Sequence, residues 1–339
     1  MLLSALALPA SIPSPEINSF DFTLFGLPFS IKFYALFIIL GIVIATFAAN
    51  RTLTQRGAER WVIVDVLLVT VPISIICARL FHVFTHFGFY FNAGREWWNP
   101  FVKDAIWNIW DGGIAIYGAL IGGAIGAWLG CKWTGLRFWT FADAIAPWML
   151  LAQAIGRLGN YFNHELFGLP TDLPWGLDIP RPNSAIPVGL SDDTLFHPTF
   201  LYEIIWNVIG VVVLLMLRKK IAMQWGRLFA VYLIWYSAGR VVWESIRIDP
   251  SDIILGLRTN VWSAILGIVV GLVILIVQSR HTGQEPSPYV VGRGPQNAVG
   301  SSAATPEYVD VSEPPAQSTD DSEAATSGTP AATTPVAGA

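Results

Sequence analysis

Seven stretches of this chain are apolar for long enough to cross a lipid bilayer, and no other feature limits its fold so tightly. They run roughly Ile31–Ala49, Trp61–Thr85, Ile114–Cys131, Phe141–Ile155, Phe200–Leu217, Leu228–Trp243 and Val261–Gln278. About 20 residues of helix span the hydrocarbon layer. No water satisfies a bare N–H or C=O there, so each stretch is expected to be a helix. The sixth is interrupted by polar residues and is the one hydropathy alone would be least expected to find. Composition agrees with a bilayer as solvent: of 339 residues, 53% are hydrophobic and 13% charged, against about 25% charged in soluble domains. Mean hydropathy is +0.53. Cys77 and Cys131 lie in apolar runs and read as packed hydrophobes or free thiols. No basic stripe suggests a nucleic-acid partner.

The expected fold is therefore all-α, a polytopic membrane protein of about seven transmembrane helices. Residues 29–279 are expected to form one seven-helix transmembrane domain. Residues 1–28 precede it as a short external extension, since no Lys or Arg stands before the apolar stretch of Met1–Pro15, as a signal peptide would need. Residues 280–339 follow as a disordered cytoplasmic tail, rich in Ser, Thr, Ala, Pro and Gly. Arg51, Arg56, Arg60, Lys132, Arg137, Arg218, Lys219, Lys220, Arg227 and Arg280 crowd the loops after the odd-numbered spans. The positive-inside rule puts those loops in the cytoplasm, the N-terminus outside and the C-terminus inside. Trp61, Trp139, Trp225 and Trp262 fall at span ends, as interfacial anchors do. Gly118, Gly122, Gly126 and Gly130 recur every four residues, which reads as a seam where a neighbouring helix approaches closely.

A charge at membrane depth costs about 2.5–3.5 kcal/mol or more, so the retained ones call for explanation. Continuing the fourth helix would put Gln153, Arg157 and Asn160 on one face, followed by Asn163 and Glu165. The planar fork of an arginine suits a phosphate diester; the alternative is an arginine snorkelling to the surface. On the sixth span Tyr232, Tyr236, Arg240 and Glu244 are four apart, with Arg247 three further on. That stripe is either a cationic wall tuned by one carboxylate or an ion-pair ladder between helices. Arg79 and His82 sit near the outer end of the second span. Lys32 and Tyr34 open the first, and His197 and Glu203 the fifth. Asp65 and Asp143 lie toward the other side; Asp143 reads as a partner for a cation or a helix cap. No HExxH, Cys/His set, GxSxG or P-loop is present. A transporter would predict a polar path through the bilayer or inverted repeats, and neither is visible. A scaffold would leave the charges unexplained. A phospholipase would want a Ser/His or metal set.

Several of these stretches resemble one family. Gly156-Arg157-Leu-Gly159-Asn160-Tyr-Phe-Asn163-His-Glu165-Leu-Phe-Gly168 looks like the signature of the phosphatidylglycerol–prolipoprotein diacylglyceryl transferases. So do His197-Pro-Thr-Phe-Leu-Tyr202-Glu203, Tyr236-Ser-Ala-Gly-Arg240 with Glu244 and Arg247, and Asp111-Gly112-Gly113. The resemblance runs from about Phe20 to Gln278. It implies a multi-pass enzyme of the bacterial cell membrane, working without metal or organic cofactor at the first step of lipoprotein maturation. The diacylglyceryl group of phosphatidylglycerol passes to the lipobox cysteine of a prolipoprotein as a thioether, and glycerol phosphate leaves. It also implies roles. Arg157 holds the lipid headgroup, with Arg79, Arg247, Gly168 and His197 around it. Arg240, Tyr34 and Asn160 serve catalysis, and Glu165 and Glu244 orient the arginines. Where many members carry His-Gly-Gly, with the His proposed as a base, this chain has Tyr117-Gly118-Ala119. A tyrosine with a pKa near 10 is a poor base, so Tyr117 either donates and positions, or the base is not obligatory. Phe200 stands where Gln is common.

Overall fold

A computed structural model describes residues 11–24, 27–92, 96–99, 101–102, 105–109, 112–281, 283 and 287–294. Two strands and seven long helices carry the chain: β1 Ser19–Leu24, β2 Leu27–Lys32, α1 Phe33–Gln55, α2 Val62–Thr85, α4 Ile116–Thr134, α5 Phe138–Phe162, α6 Thr199–Lys220, α7 Arg227–Ser245 and α8 Thr259–Gln278. A single turn, α3 Phe87–Tyr90, follows α2, and a two-residue ribbon, β3 Ile253–Ile254 with β4 Leu257–Arg258, precedes α8. Five helices (α1, α2, α5, α6 and α8) are long and apolar enough by length and composition to cross a membrane. α7 carries the polar stripe and α4 the glycines, and both lower hydropathy. Leu68, Phe84, Leu120 and Leu266 are 63–78% exposed, an outward surface that requires lipid rather than water.

The seven expected spans are thus seven helices, with three departures. The first helix begins at Phe33, not Ile31, because the alternation of Phe20, Phe22, Phe29 and Ile31 with polar residues makes a β1–β2 hairpin, Ser19 opposite Lys32. That hairpin crosses the expected boundary at residue 28. The fourth helix runs through the polar motif to Phe162. Finally, residues 287–294, within the expected tail, pack against the bundle, as described below.

α2 packs on α4, α1 on α5, and α7 on α8, while α5 also meets α6 and α7. The glycine seam joins α2 to α4 in antiparallel register. An added Cβ would lie 2.5 Å from Cys77 Cβ at Gly122, 2.7 Å from Thr70 Cα at Gly126, and 3.0 Å from Val66 Cα at Gly130. Only glycine allows such an approach. Asp143, fully buried on α5, accepts from the N–H groups of Gly226 at 2.8 Å and Phe229 at 2.9 Å. It is a helix cap, supplied to α7 by a different helix.

At the cation-rich end of the bundle Ala49, Leu53, Val62, Ile63, Val66, Leu136 and Phe141 form a core, and Tyr289 is buried within it. The tail is clasped by hydrogen bonds from Arg137 N to Pro288 O and Val290 N to Gly135 O, each 2.9 Å, and from Arg137 Nε to Tyr289 O at 2.9 Å. The Tyr289 hydroxyl accepts from Glu59 N at 2.9 Å. Burial pushes its phenol above the ordinary value, so it stays neutral. Tyr289 is the aromatic that seats residues 287–290 against this core. Tyr289→Ala is expected to lower stability by about 3 kcal/mol, as for other large core truncations. Tyr289→Phe, losing one hydrogen bond, is expected to lower it by about 1 kcal/mol. Denaturation in detergent micelles reads both, and equal midpoints for Tyr289→Ala and wild type would dissolve the clasp.

Candidate functional site

At the opposite end, α5, α6, α7 and the start of α8 bring four arginines and their carboxylates together. α5 presents Arg157 and Asn160 one turn apart; Arg157 Nη1 donates to Asn160 Oδ1 at 3.2 Å. Asn160 Nδ2 donates to Glu165 Oε1 at 2.8 Å, and Asn163 Nδ2 reaches the same oxygen at 3.3 Å. On its other side Arg157 pairs with Glu203 of α6, Nη2 to Oε2 at 2.5 Å. Glu203 also faces Arg240 of α7, Oε1 to Nη1 at 3.6 Å. Pro198 starts α6 and places Glu203 within its first turn and a half.

The α7 stripe continues the network. Arg240 Nη2 donates to Glu244 Oε2 at 2.6 Å, and Arg247 Nη1 donates to the same oxygen at 3.0 Å. Glu244 Oε1 takes Asn260 Nδ2 at 2.9 Å and lies 3.1 Å from Arg258 Nε. Asp249 binds Arg247 through both oxygens at 2.7 Å each, and Arg258 at 3.2 Å. Glu244 is fully buried; Arg157 and Arg240 keep 14% and 15% of their side chains exposed. Those two cations are therefore held by protein yet reachable. Arg240 Nη1 is buried without a hydrogen-bond partner among the described residues, as is Trp243 Nε1 one turn away. Buried donors of this kind ordinarily have partners.

The other expected site residues have contacts of their own. Gly168 pairs its backbone with Arg247, and its added Cβ would lie 2.8 Å from His197 Cβ. Its part is to let three strands of chain meet beneath the arginines. His197 Nδ1 lies 3.1 Å from Tyr202 Oη. Tyr34 packs on Gly159, whose added Cβ would lie 2.7 Å from its ring. Tyr117 donates to Ser263 Oγ at 2.7 Å, because that hydroxyl gives its own proton to Thr259 O at 3.0 Å.

Arg79 is not brought to the cluster. Its guanidinium donates to four carbonyls of the following loop: Ile106 at 2.7 Å, Ala105 and Gly113 at 2.9 Å, and Gly112 at 3.1 Å. It shapes a loop, its donors committed to backbone oxygens. Asp111 lies outside the described residues. Sequence reasoning missed Glu203 and Arg258 as members of the network. Glu203 was already visible in the motif after His197, but an acid opening a helix reads as a surface residue. Among the described residues no His, Cys, Asp and Glu group is arranged to hold a metal ion.

Helices of this length around a partly accessible network of arginines and carboxylates define a polytopic membrane protein with its membrane-depth charges gathered at one end of its bundle. The chain belongs to the prolipoprotein diacylglyceryl transferase family, whose profile matches residues 22–277. A phosphatidylglycerol–prolipoprotein diacylglyceryl transferase of Leifsonia xyli subsp. xyli is 60% identical over 305 residues, covering 88% of this chain and 91% of the relative. One of Bifidobacterium longum is 42% identical, covering 84% and 90%. A Streptomyces coelicolor protein named phosphatidylglycerol–prolipoprotein diacylglyceryl transferase 2 is 41% identical, covering 84% and 86%.

Proposed function

We propose that this chain transfers the diacylglyceryl group of phosphatidylglycerol to the lipobox cysteine of prolipoproteins, with the Arg157–Glu203–Arg240 constellation at the reacting phosphate. Family membership supports the reaction. The observation that carries the site is the shared carboxylate: two part-exposed arginines from different helices converge on Glu203, one with an unfilled donor. A phosphodiester oxygen fills that donor, and the fork of Arg157 takes a second oxygen. The cysteine sulfur attacks the glyceryl carbon, the carbon–oxygen bond to phosphate breaks, and a thioether forms. Glycerol phosphate leaves as a monoester with a second pKa near 6, and the thiol proton is accounted for there. Charge growing on that phosphate is what Arg157 and Arg240 stabilise. Asn160 and Glu165 steer Arg157; Glu244 steers Arg240 and Arg247. Tyr117, its proton committed to Ser263, positions α4 against α8 rather than accepting the thiol proton.

The positive-inside pattern supports a cytoplasmic location for the clasped end, and a site that opens to the outer leaflet, where prolipoproteins arrive. The test uses purified protein in phosphatidylglycerol micelles with a lipobox peptide, and mass spectrometry for the diacylglyceryl thioether. Losing two charge-assisted bonds of about 1.5–3 kcal/mol each, Arg157→Ala is expected to fall about 10²- to 10⁴-fold in product. Arg157→Lys keeps the charge but not the fork, and is expected to recover only part of that. No thioether from folded wild type would refute the transferase reading.

A further inference from the structure

A cavity lies at the clasped end, away from the arginine network. It is an open cleft of about 830 Å³ between the last turns of α1 and the start of α2. Val43, Phe47 and Arg51 line it from α1 at successive four-residue steps, and Trp61 and Arg60 line it from the connection to α2. Residues four apart lie above one another on a helix. The wall therefore runs from apolar to cationic along the bundle axis, the same polarity that a phospholipid has.

The cleft is built rather than incidental. Trp61 holds a left-handed backbone, φ 72°, which a non-glycine residue rarely adopts. The buried Asn50 keeps it there, accepting from Trp61 N at 2.7 Å. The indole consequently stands edge-on to Phe47, ring centres 5.0 Å apart and planes at 84°. Strained backbone of this kind gathers at ligand sites. Both rim cations are exposed, and neither has an ion-pair or hydrogen-bond partner among the described residues. The four arginines of the transferase site, by contrast, are all paired.

We propose that this cleft binds one anionic phospholipid of the leaflet opposite the transferase site. Its acyl chain lies along Val43 and Phe47, and its phosphate sits between Arg51 and Arg60. Charge complementarity selects the occupant: an apolar wall alone would take any lipid, but two unpaired guanidinium groups at headgroup depth favour an anion. The site is separate from the reacting one and stands whether or not the transferase reading holds.

The probe is phosphatidylserine with a photoactivatable acyl chain, at trace level in phosphatidylcholine nanodiscs holding the full chain. The comparison probe is the equivalent photoactivatable phosphatidylcholine. Labelled peptides are mapped by mass spectrometry. The expected result is preferential labelling of the 43–61 segment by phosphatidylserine. That preference should fall roughly fivefold for each arginine removed and vanish in Arg51→Gln/Arg60→Gln. Thioether formation by the same double variant is expected to be unchanged, which also shows that it folds. Equal labelling by the two probes in wild type would overturn the proposal, leaving ordinary contact with bulk lipid. Phosphatidylserine preference persisting in the double variant would overturn it as well.

Discussion

Glu203→Ala is expected to lose about 10²-fold or more in thioether formation while retaining lipid binding. The carboxylate sits 2.5 Å from Arg157 and 3.6 Å from Arg240, itself 3% exposed. Removing one partner of a buried ion pair costs about 3–5 kcal/mol, because the remaining charge is left uncompensated. Here two cations are left facing each other. Arg240 still has Glu244, but among the described residues Arg157 keeps only Asn160. Arg157 is then free to swing out toward solvent, and misplacement by about 1 Å is enough to cost 10²-fold. Both positive charges remain, so phosphatidylglycerol should still be retained by the purified variant. Glu203→Gln keeps the shape and the acceptor oxygen without the charge, and should fall between Glu203→Ala and wild type. If lipid binding and transfer vanished together, Glu203 would be needed to capture the headgroup, and the positioning role assigned to it would be wrong.

Gly126→Leu is expected to prevent the bundle from assembling. An added Cβ there already lies 2.7 Å from Thr70 Cα and 3.1 Å from Thr70 O, both backbone atoms that cannot rotate away. In lipid no hydrophobic force draws helices together, so the close contact along the seam is itself the attraction between α2 and α4. Gly126→Ala should lose about 1–3 kcal/mol through overpacking. Gly123 supplies the control on the same helix. Its added Cβ would meet only Ser74 Oγ, at 3.8 Å, so Gly123→Ala should be silent. The measurement is the yield of monodisperse protein extracted in mild detergent. A Gly126→Leu variant that eluted like wild type would mean that α2 and α4 do not touch there.

What could be read from sequence followed from residues whose spacing is their geometry. Tyr232, Tyr236, Arg240 and Glu244 are four apart and do form one stripe, because a helix fixes which side chains are neighbours. The glycine seam was legible for the same reason, and Asp143 proved to be the cap that was one of its two expected roles. Partners across helices were not legible. Glu203 meets Arg157 across a long loop, and Arg258, at the end of β4, meets Glu244 of the preceding helix. Arg79 was illegible for the converse reason. Its partners are backbone carbonyls, which every residue has, so nothing in the sequence marks Ala105, Ile106, Gly112 and Gly113 as the groups that consume its donors. The tail was judged by average composition, which hides one well-placed Tyr289.

The clasp also sets an order of events. Chains emerge N-terminus first and their parts fold as they appear. The core formed by the α1–α2 connection and the start of α5 waits for Tyr289, which is synthesised after all seven membrane helices. Every earlier length of nascent chain therefore carries an unfilled socket between Glu59 and Arg137. Assembly of this protein therefore finishes on the cation-rich face, with a segment made only after the whole bundle has been synthesised.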